Sequence, residues 1–185
     1  GTSMACYTPV EFNISKALKY GALNEILIKI GDRTWLPSEA AGGTDKEKEH
    51  YLPGIWDDVS LSFTGKIRVN RLLVLPSVAG KSVIVKTQVR NFQPPQVFYG
   101  DAMADSVLLQ ISILEKKSGK VLASKEGRYL VKRDNISEIT TVIPFQDFKV
   151  WTPESPELYL ATAKIFRNSE LSDVYSRNFG MRDFE

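Results

Sequence analysis

His50 is the only histidine in the chain, and Asp45, Glu47 and Glu49 stand close before it. An imidazole among carboxylates is the material of a metal site or of acid–base chemistry. Metal sites, however, set their ligands at defined spacings. One histidine with scattered acids in a mixed-charge stretch reads first as a solvated loop. Asp57 and Asp58 are adjacent, so on a strand they face opposite ways and share no site; a turn explains them better. Gly42-Gly43 lacks the strand before it and the Gly-Lys-Ser/Thr after it that a phosphate cradle needs. No serine has a histidine in an orienting context, which argues against a serine triad. Cys6 lies near the terminus with no histidine beside it, so it is a poor nucleophile. Trp35, Tyr51, Trp56, Phe98, Tyr99 and Trp151 have the rings to stack on sugars, though anchoring a core or a corner is the more ordinary role. The residues alone assemble no active site, no metal site and no cofactor site.

Bulk properties narrow the function further. With 24 basic and 22 acidic side chains the formal net charge is +2, too near neutral to point to nucleic acid or an anionic membrane as partner. A single cysteine excludes an internal disulfide framework and any multi-cysteine metal site. No apolar run approaches the roughly 20 residues that span a bilayer as a helix. Gly1-Thr-Ser-Met4 reads like a cloning remnant in place of a natural start, so the compartment is left open. The length of 185 residues suits one large domain or two small ones.

The elements that must position these residues are strands. Tyr7–Ile14 and Glu25–Ile30 read as strands, with one helical turn or wide loop from Ser15 to Gly21 between them. Residues 37–54 lack periodicity and form a long loop. Val59–Phe63 alternates cleanly. From residue 66 the spacing becomes regular: Ile67–Leu75, Ser82–Phe92, Val107–Leu114, a partner opening at Val121, Ile136–Ile143, Leu158–Phe166 and a last strand ending in Phe179-Gly-Met-Arg182. Val83, Val85, Thr87 and Val89 share one face of the second of these. About seven strands in about 115 residues, with turns between them and no helical periodicity, predict an all-β immunoglobulin-like sandwich. Trp151-Thr-Pro-Glu-Ser-Pro-Glu-Leu-Tyr159 is its stiff corner. Pro153 and Pro156 forbid a helix and remove two donors, and Tyr159 stands where such sandwiches place their corner tyrosine.

Four stretches together resemble glycoside hydrolase family 2. Tyr7-Thr-Pro-Val-Glu-Phe-Asn-Ile-Ser15, with Gly21 and Asn24-Glu-Ile-Leu-Ile28, is similar to the late strands of that family's sugar-binding jelly roll. Pro53-Gly-Ile-Trp-Asp-Asp-Val-Ser-Leu61 is similar to the motif that closes the jelly roll, except that Asp57 replaces the usual arginine. Val150–Tyr159 and Phe179-Gly-Met-Arg182 resemble the ending of the next, immunoglobulin-like domain.

The resemblance implies residues 1–65 as the C-terminal part of a galactose-binding-like jelly-roll sandwich and 66–185 as an immunoglobulin-like domain. It implies a parent retaining β-glycosidase of the β-galactosidase, β-glucuronidase or β-mannosidase kind, with a periplasmic or extracellular setting favoured. In that family two glutamates on a (β/α)8 barrel do the chemistry, their carboxyl groups about 5–5.5 Å apart. The barrel begins after the Phe-Gly-x-Arg strand, so no acid of this chain inherits a catalytic role. Asp45, His50, Tyr51 and Trp56 are the residues expected near a sugar cleft. Trp151, Tyr159 and Arg182 are expected at a domain junction. The expected partner is the barrel, with carbohydrate as a candidate ligand and self-association through open strand edges. Two readings compete: a free-standing carbohydrate-binding or protein-interaction module, and catalysis by the Asp45–His50 loop.

Overall fold

The structure, a computed structural model, describes residues 1–3, 8–31, 54–55, 57–95, 97–98 and 101–183. The chain divides into two compact units, Gly1–Leu61 and Ser62–Glu185. The second contains β1 (Ile67–Ser77), β2 (Ser82–Asn91), β3 (Val97–Phe98), β4 (Asp101–Ala102), β5 (Ala104–Glu115), β6 (Val121–Lys132), β7 (Asn135–Pro144), β8 (Tyr159–Arg167) and β9 (Glu170–Phe179).

Two antiparallel sheets form the sandwich, ordered β1-β2-β7 and β6-β5-β8-β9, and β3 and β4 make a separate small hairpin. This is an immunoglobulin-like arrangement of seven main strands. Alternation explains it. On β2, Val83, Val85, Thr87, Val89 and Asn91 are buried. On β5, Val107, Leu109, Ile111 and Ile113 meet them from the opposite sheet. Strand residues two apart share a face, so each sequence presents one apolar row, and the two rows close on each other. Ala161, Ala163 and Ile165 of β8 and Ile139 and Ile143 of β7 complete the core. Ala161 sits two residues after Tyr159, where antibody domains carry a disulfide cysteine; aliphatic packing serves in its place here.

β1 and β9 each carry one bulge, and hydrogen bonds run between the two stretches of chain. Asn70 falls out of register on β1 and Ser172 on β9. The Ser172 carbonyl accepts the Gly65 N–H at 2.7 Å, and its hydroxyl donates to the Ile67 carbonyl. Asp173 Oδ2 accepts the Val69 N–H at 2.8 Å. Across the sandwich, Lys125 Nζ donates to the Val142 carbonyl at 3.2 Å, so a side chain of β6 serves a backbone group of β7.

Two expectations need correction. The hairpin β3–β4 lies between Ser82–Phe92 and Val107–Leu114, where the sequence reading placed no strand. More importantly, no strand forms before Ile67 among the described residues, so Tyr7–Ile14, Glu25–Ile30 and Val59–Phe63 are not strands where described. Alternation gives a segment two faces, but a strand also needs a neighbour to complete its ladder. Here Leu27 is 90% exposed and Ile26 and Leu61 are exposed as well. Between those segments the predicted turn is present. Ala17 N–H donates to the Ile14 carbonyl at 2.8 Å, and Gly21 takes a left-handed φ of 70°. Asn24 holds the loop, accepting the Lys19 N–H at 2.8 Å and donating to the Lys19 and Ala22 carbonyls.

Candidate functional site

The Trp151–Tyr159 corner folds by local rules. Pro153 and Pro156 contribute no N–H, so the turn closes through Thr152 and Ser155, the residues before each proline. Thr152 and Ser155 exchange backbone hydrogen bonds, both at 3.2 Å, and Thr152 Oγ1 accepts the Ser155 N–H at 3.0 Å. Glu157 accepts Lys117 Nζ at 3.1 Å on both carboxylate oxygens. Tyr159 then enters β8 buried. Its ring meets Phe145 edge-on at 5.2 Å and lies 5.7 Å from Phe179. Its phenol oxygen accepts the Lys149 N–H at 2.8 Å. That is the tyrosine corner, in which a buried ring carries one polar tip back to the backbone upstream.

The chain leaving β9 folds against the same corner. Val150 and Met181 form a parallel bridge, and Trp151 N–H donates to the Met181 carbonyl at 2.8 Å. Arg182 sets its guanidinium over the Trp151 ring at 5.2 Å. Gly180 makes room for that indole, since a Cβ there would lie 2.8 Å from Trp151 Cβ. The next residue, Asp183, accepts the backbone N–H groups of Val78 and Ala79, at 2.8 and 3.1 Å.

At the opposite end of the sandwich a second cluster joins four elements. Asp105, only 7% exposed, accepts Arg133 Nε at 3.0 Å and Nη2 at 3.1 Å, Arg167 Nη2 at 3.0 Å and Asn91 Nδ2 at 2.9 Å. Asn91 also donates to the Val131 carbonyl and accepts the Gln93 N–H. Burial raises the Asp105 pKa, but hydrogen bonds from Arg133, Asn91 and Arg167 and the Arg133 charge outweigh it and hold the carboxyl below its ordinary value. A carboxylate gripped this way stays ionised and has its lone pairs taken. It suits fixing the β6–β7 and β8–β9 turns to β5, and it does not suit proton transfer.

A groove of about 230 Å³ lies on the outer face of the larger sheet, floored by Leu108 and Phe166 and edged by Ser106, Gln110, Arg128, Asn168 and Ser169. These groups can bind by stacking and hydrogen bonding.

Of the residues expected to matter, Trp151 and Arg182 are brought into contact, and Tyr159 is a core residue. Asp45, His50, Tyr51 and Trp56 lie outside the described residues. Sequence reading missed the Asp105 cluster and the Asp183 contacts. The first left a signal: Asp105 has the parity of Val107, Leu109 and Ile111, which places a carboxylate on a buried face.

Comparison with known proteins agrees with this architecture. The chain is 23% identical over 189 aligned residues to a β-galactosidase of Clostridium acetobutylicum, covering 100% of this chain but 18% of that protein. The solved structure of a glycosyl hydrolase family 2 member from Bacteroides cellulosilyticus superposes with a TM-score of 0.55 at 18% identity, over 65% of this chain and 16% of that one. A Bacteroides uniformis β-glucuronidase gives 0.55 at 18% identity, over 66% and 15%. These structures share the fold. The chain therefore spans less than a fifth of the length of each of these relatives. The profile of the family described as glycosyl hydrolases family 2 matches residues 67–182, from the first residue of β1 to the arginine on Trp151, and the chain belongs to that family.

Proposed function

We propose that this chain is the non-catalytic β-sandwich portion of a retaining β-glycosidase, β-galactosidase-like, acting in carbohydrate metabolism. In this reading residues 66–185 are the immunoglobulin-like domain, and residues 1–65 are the closing part of a sugar-binding jelly roll. The sandwich packs against a catalytic (β/α)8 barrel and holds its neighbours in place, with carbohydrate as a ligand of the assembled protein.

The observation that carries this is the exit corner. The family match runs through Arg182, Phe179-Gly-Met-Arg182 is gripped by Val150 and Trp151, and the next residue, Asp183, is held by the β1–β2 turn. Such a clamp suits a junction that must hold a following domain. The buried acid Asp105 is tied to two arginines and serves the fold.

The test is turnover of nitrophenyl β-glycosides by the purified 185-residue chain. No hydrolysis is expected, and robust hydrolysis abolished by no contaminant control overturns the reading. Exposed apolar side chains in the first unit, Leu23, Leu27 and Ile26 among them, support self-association of the isolated chain. Light scattering at rising concentration is expected to show species above the monomer.

A further inference from the structure

The turn that joins β1 to β2 holds three successive backbone N–H groups, those of Val78, Ala79 and Gly80. Gly80 N–H is satisfied locally, by Ser77 Oγ at 3.0 Å. The turn closes with Lys81 N–H on the Val78 carbonyl at 3.2 Å, and Lys81 takes a left-handed φ of 45°. The other two amides reach across 105 and 104 positions of sequence to one carboxylate. Asp183 gives one oxygen to each, Oδ1 to Val78 and Oδ2 to Ala79. Consecutive N–H groups turned the same way form a concavity that favours an anion. Here the anion is a side chain of the protein's own departing segment.

We propose that Asp183 is the positioning residue of the exit. Its carboxylate latches the chain leaving β9 onto the β1–β2 turn and so fixes the direction in which the chain continues. Three contacts then hold three successive residues: the Met181 carbonyl on Trp151 N–H, the Arg182 guanidinium on the Trp151 ring, and the Asp183 carboxylate on the turn. The first two fasten the exit to the corner before β8. The third fastens it to the β1–β2 turn, so Asp183 sets the angle of the exit against that turn. That a barrel lies beyond the latch is the reading proposed above, and the latch is tested without it.

The chemistry demands a carboxylate. Asparagine offers one acceptor oxygen, and its NH2 would then face the second N–H, donor against donor. Asp183→Asn is therefore expected to keep at most one of the two bonds and Asp183→Ala neither. In the 185-residue chain, hydrogen exchange should speed up about tenfold or more at both the Val78 and Ala79 amides in Asp183→Ala and at one or both of them in Asp183→Asn, because charge-assisted bonds are lost. The backbone N–H order of Arg182 and Asp183, read by NMR relaxation, should fall toward that of a free terminus. Exchange at Ala161 and Ala163 in the core should stay unchanged. Protection of Val78 and Ala79 that survives Asp183→Ala overturns the proposal. So does an equal acceleration at Ala161 and Ala163, which would mean general loosening, and so does Asp183→Asn behaving like the parent chain. None of these outcomes bears on glycoside hydrolysis, which is read separately.

Discussion

Tyr159 accepts the backbone N–H of Lys149 on its phenol oxygen at 2.8 Å, across ten residues that include both prolines of the corner. The bond closes the chain between β7 and β8 into a fixed loop. It also lets a ring packed on Phe145 and Phe179 carry its hydroxyl into a partly buried site without loss. Tyr159→Phe keeps the ring and strands the amide. It should cost about 1–2 kcal/mol in chemical denaturation. Tyr159→Ala also empties the ring's site and should cost about 3–5 kcal/mol. Equal stability of the parent chain and Tyr159→Phe would show the bond to be inert.

Asp105 gives the sharpest stability effect away from the corner. Asp105→Asn removes the negative charge shared by Arg133 and Arg167 near a buried site and turns a donor toward them, so it should destabilise by about 3 kcal/mol at neutral pH. The sign of the pH dependence follows from its lowered pKa. A carboxyl held below its ordinary value of 3.8 contributes stability that is complete above that value and is lost as pH falls through the folded one. The gap between the parent chain and Asp105→Asn should stay constant from neutrality to about pH 5 and narrow below about pH 4. A gap that widened on acidification would contradict the assignment.

Thr87 is a core residue with a polar atom. It is fully buried between Val85 and Val89 in the inward row of β2, and its Oγ1 has no hydrogen-bond partner among the described residues. An unpaired buried hydroxyl is unfavourable, and valine has nearly the same shape. Thr87→Val should raise stability by about 1 kcal/mol, seen as a higher Tm with unchanged fold. A drop in Tm would mean that the hydroxyl is satisfied in solution.

Gly180 is required by its neighbour. Its backbone passes so close to Trp151 that any side chain meets the indole. Gly180→Ala should cost about 1–3 kcal/mol. It should also shift Trp151 fluorescence, since the ring must move off Arg182. An unperturbed emission spectrum with full stability would disprove the close contact.

Much of the sandwich was legible because one physical rule wrote it. The rows Val83-Val85-Thr87-Val89 and Val107-Leu109-Ile111-Ile113 announce a buried face by parity alone, and all eight are buried. The corner was legible because its prolines and aromatics act locally. Local reading failed before Ile67, where the β-branched residues of Glu25–Ile30 favour a strand but say nothing of a partner strand. Asp105, Arg133 and Arg167 meet from positions 28 and 62 apart in sequence. Nothing local couples them, so only the odd parity of Asp105 hinted at the cluster. Asp183 follows a motif that draws the eye to Arg182, and its partners lie at the far end of β1.

The bonds between the start and end of this unit have one more consequence. They tie the stretch from Gly65 to Val78 to the stretch from Ser172 to Asp183 in the same sense: Gly65 at Ser172, Val69 at Asp173 and Val78 at Asp183. The chain enters this unit at one end of that seam and leaves at the other, roughly 33 Å away along the ten residues of β9. Tension applied through Gly65 and Asp183 would load every bond of the seam together in shear, where an antiparallel seam would unzip bond by bond. In a single-molecule pull, breaking Ser172 or Asp173 contacts should lower the rupture force more than it lowers equilibrium stability.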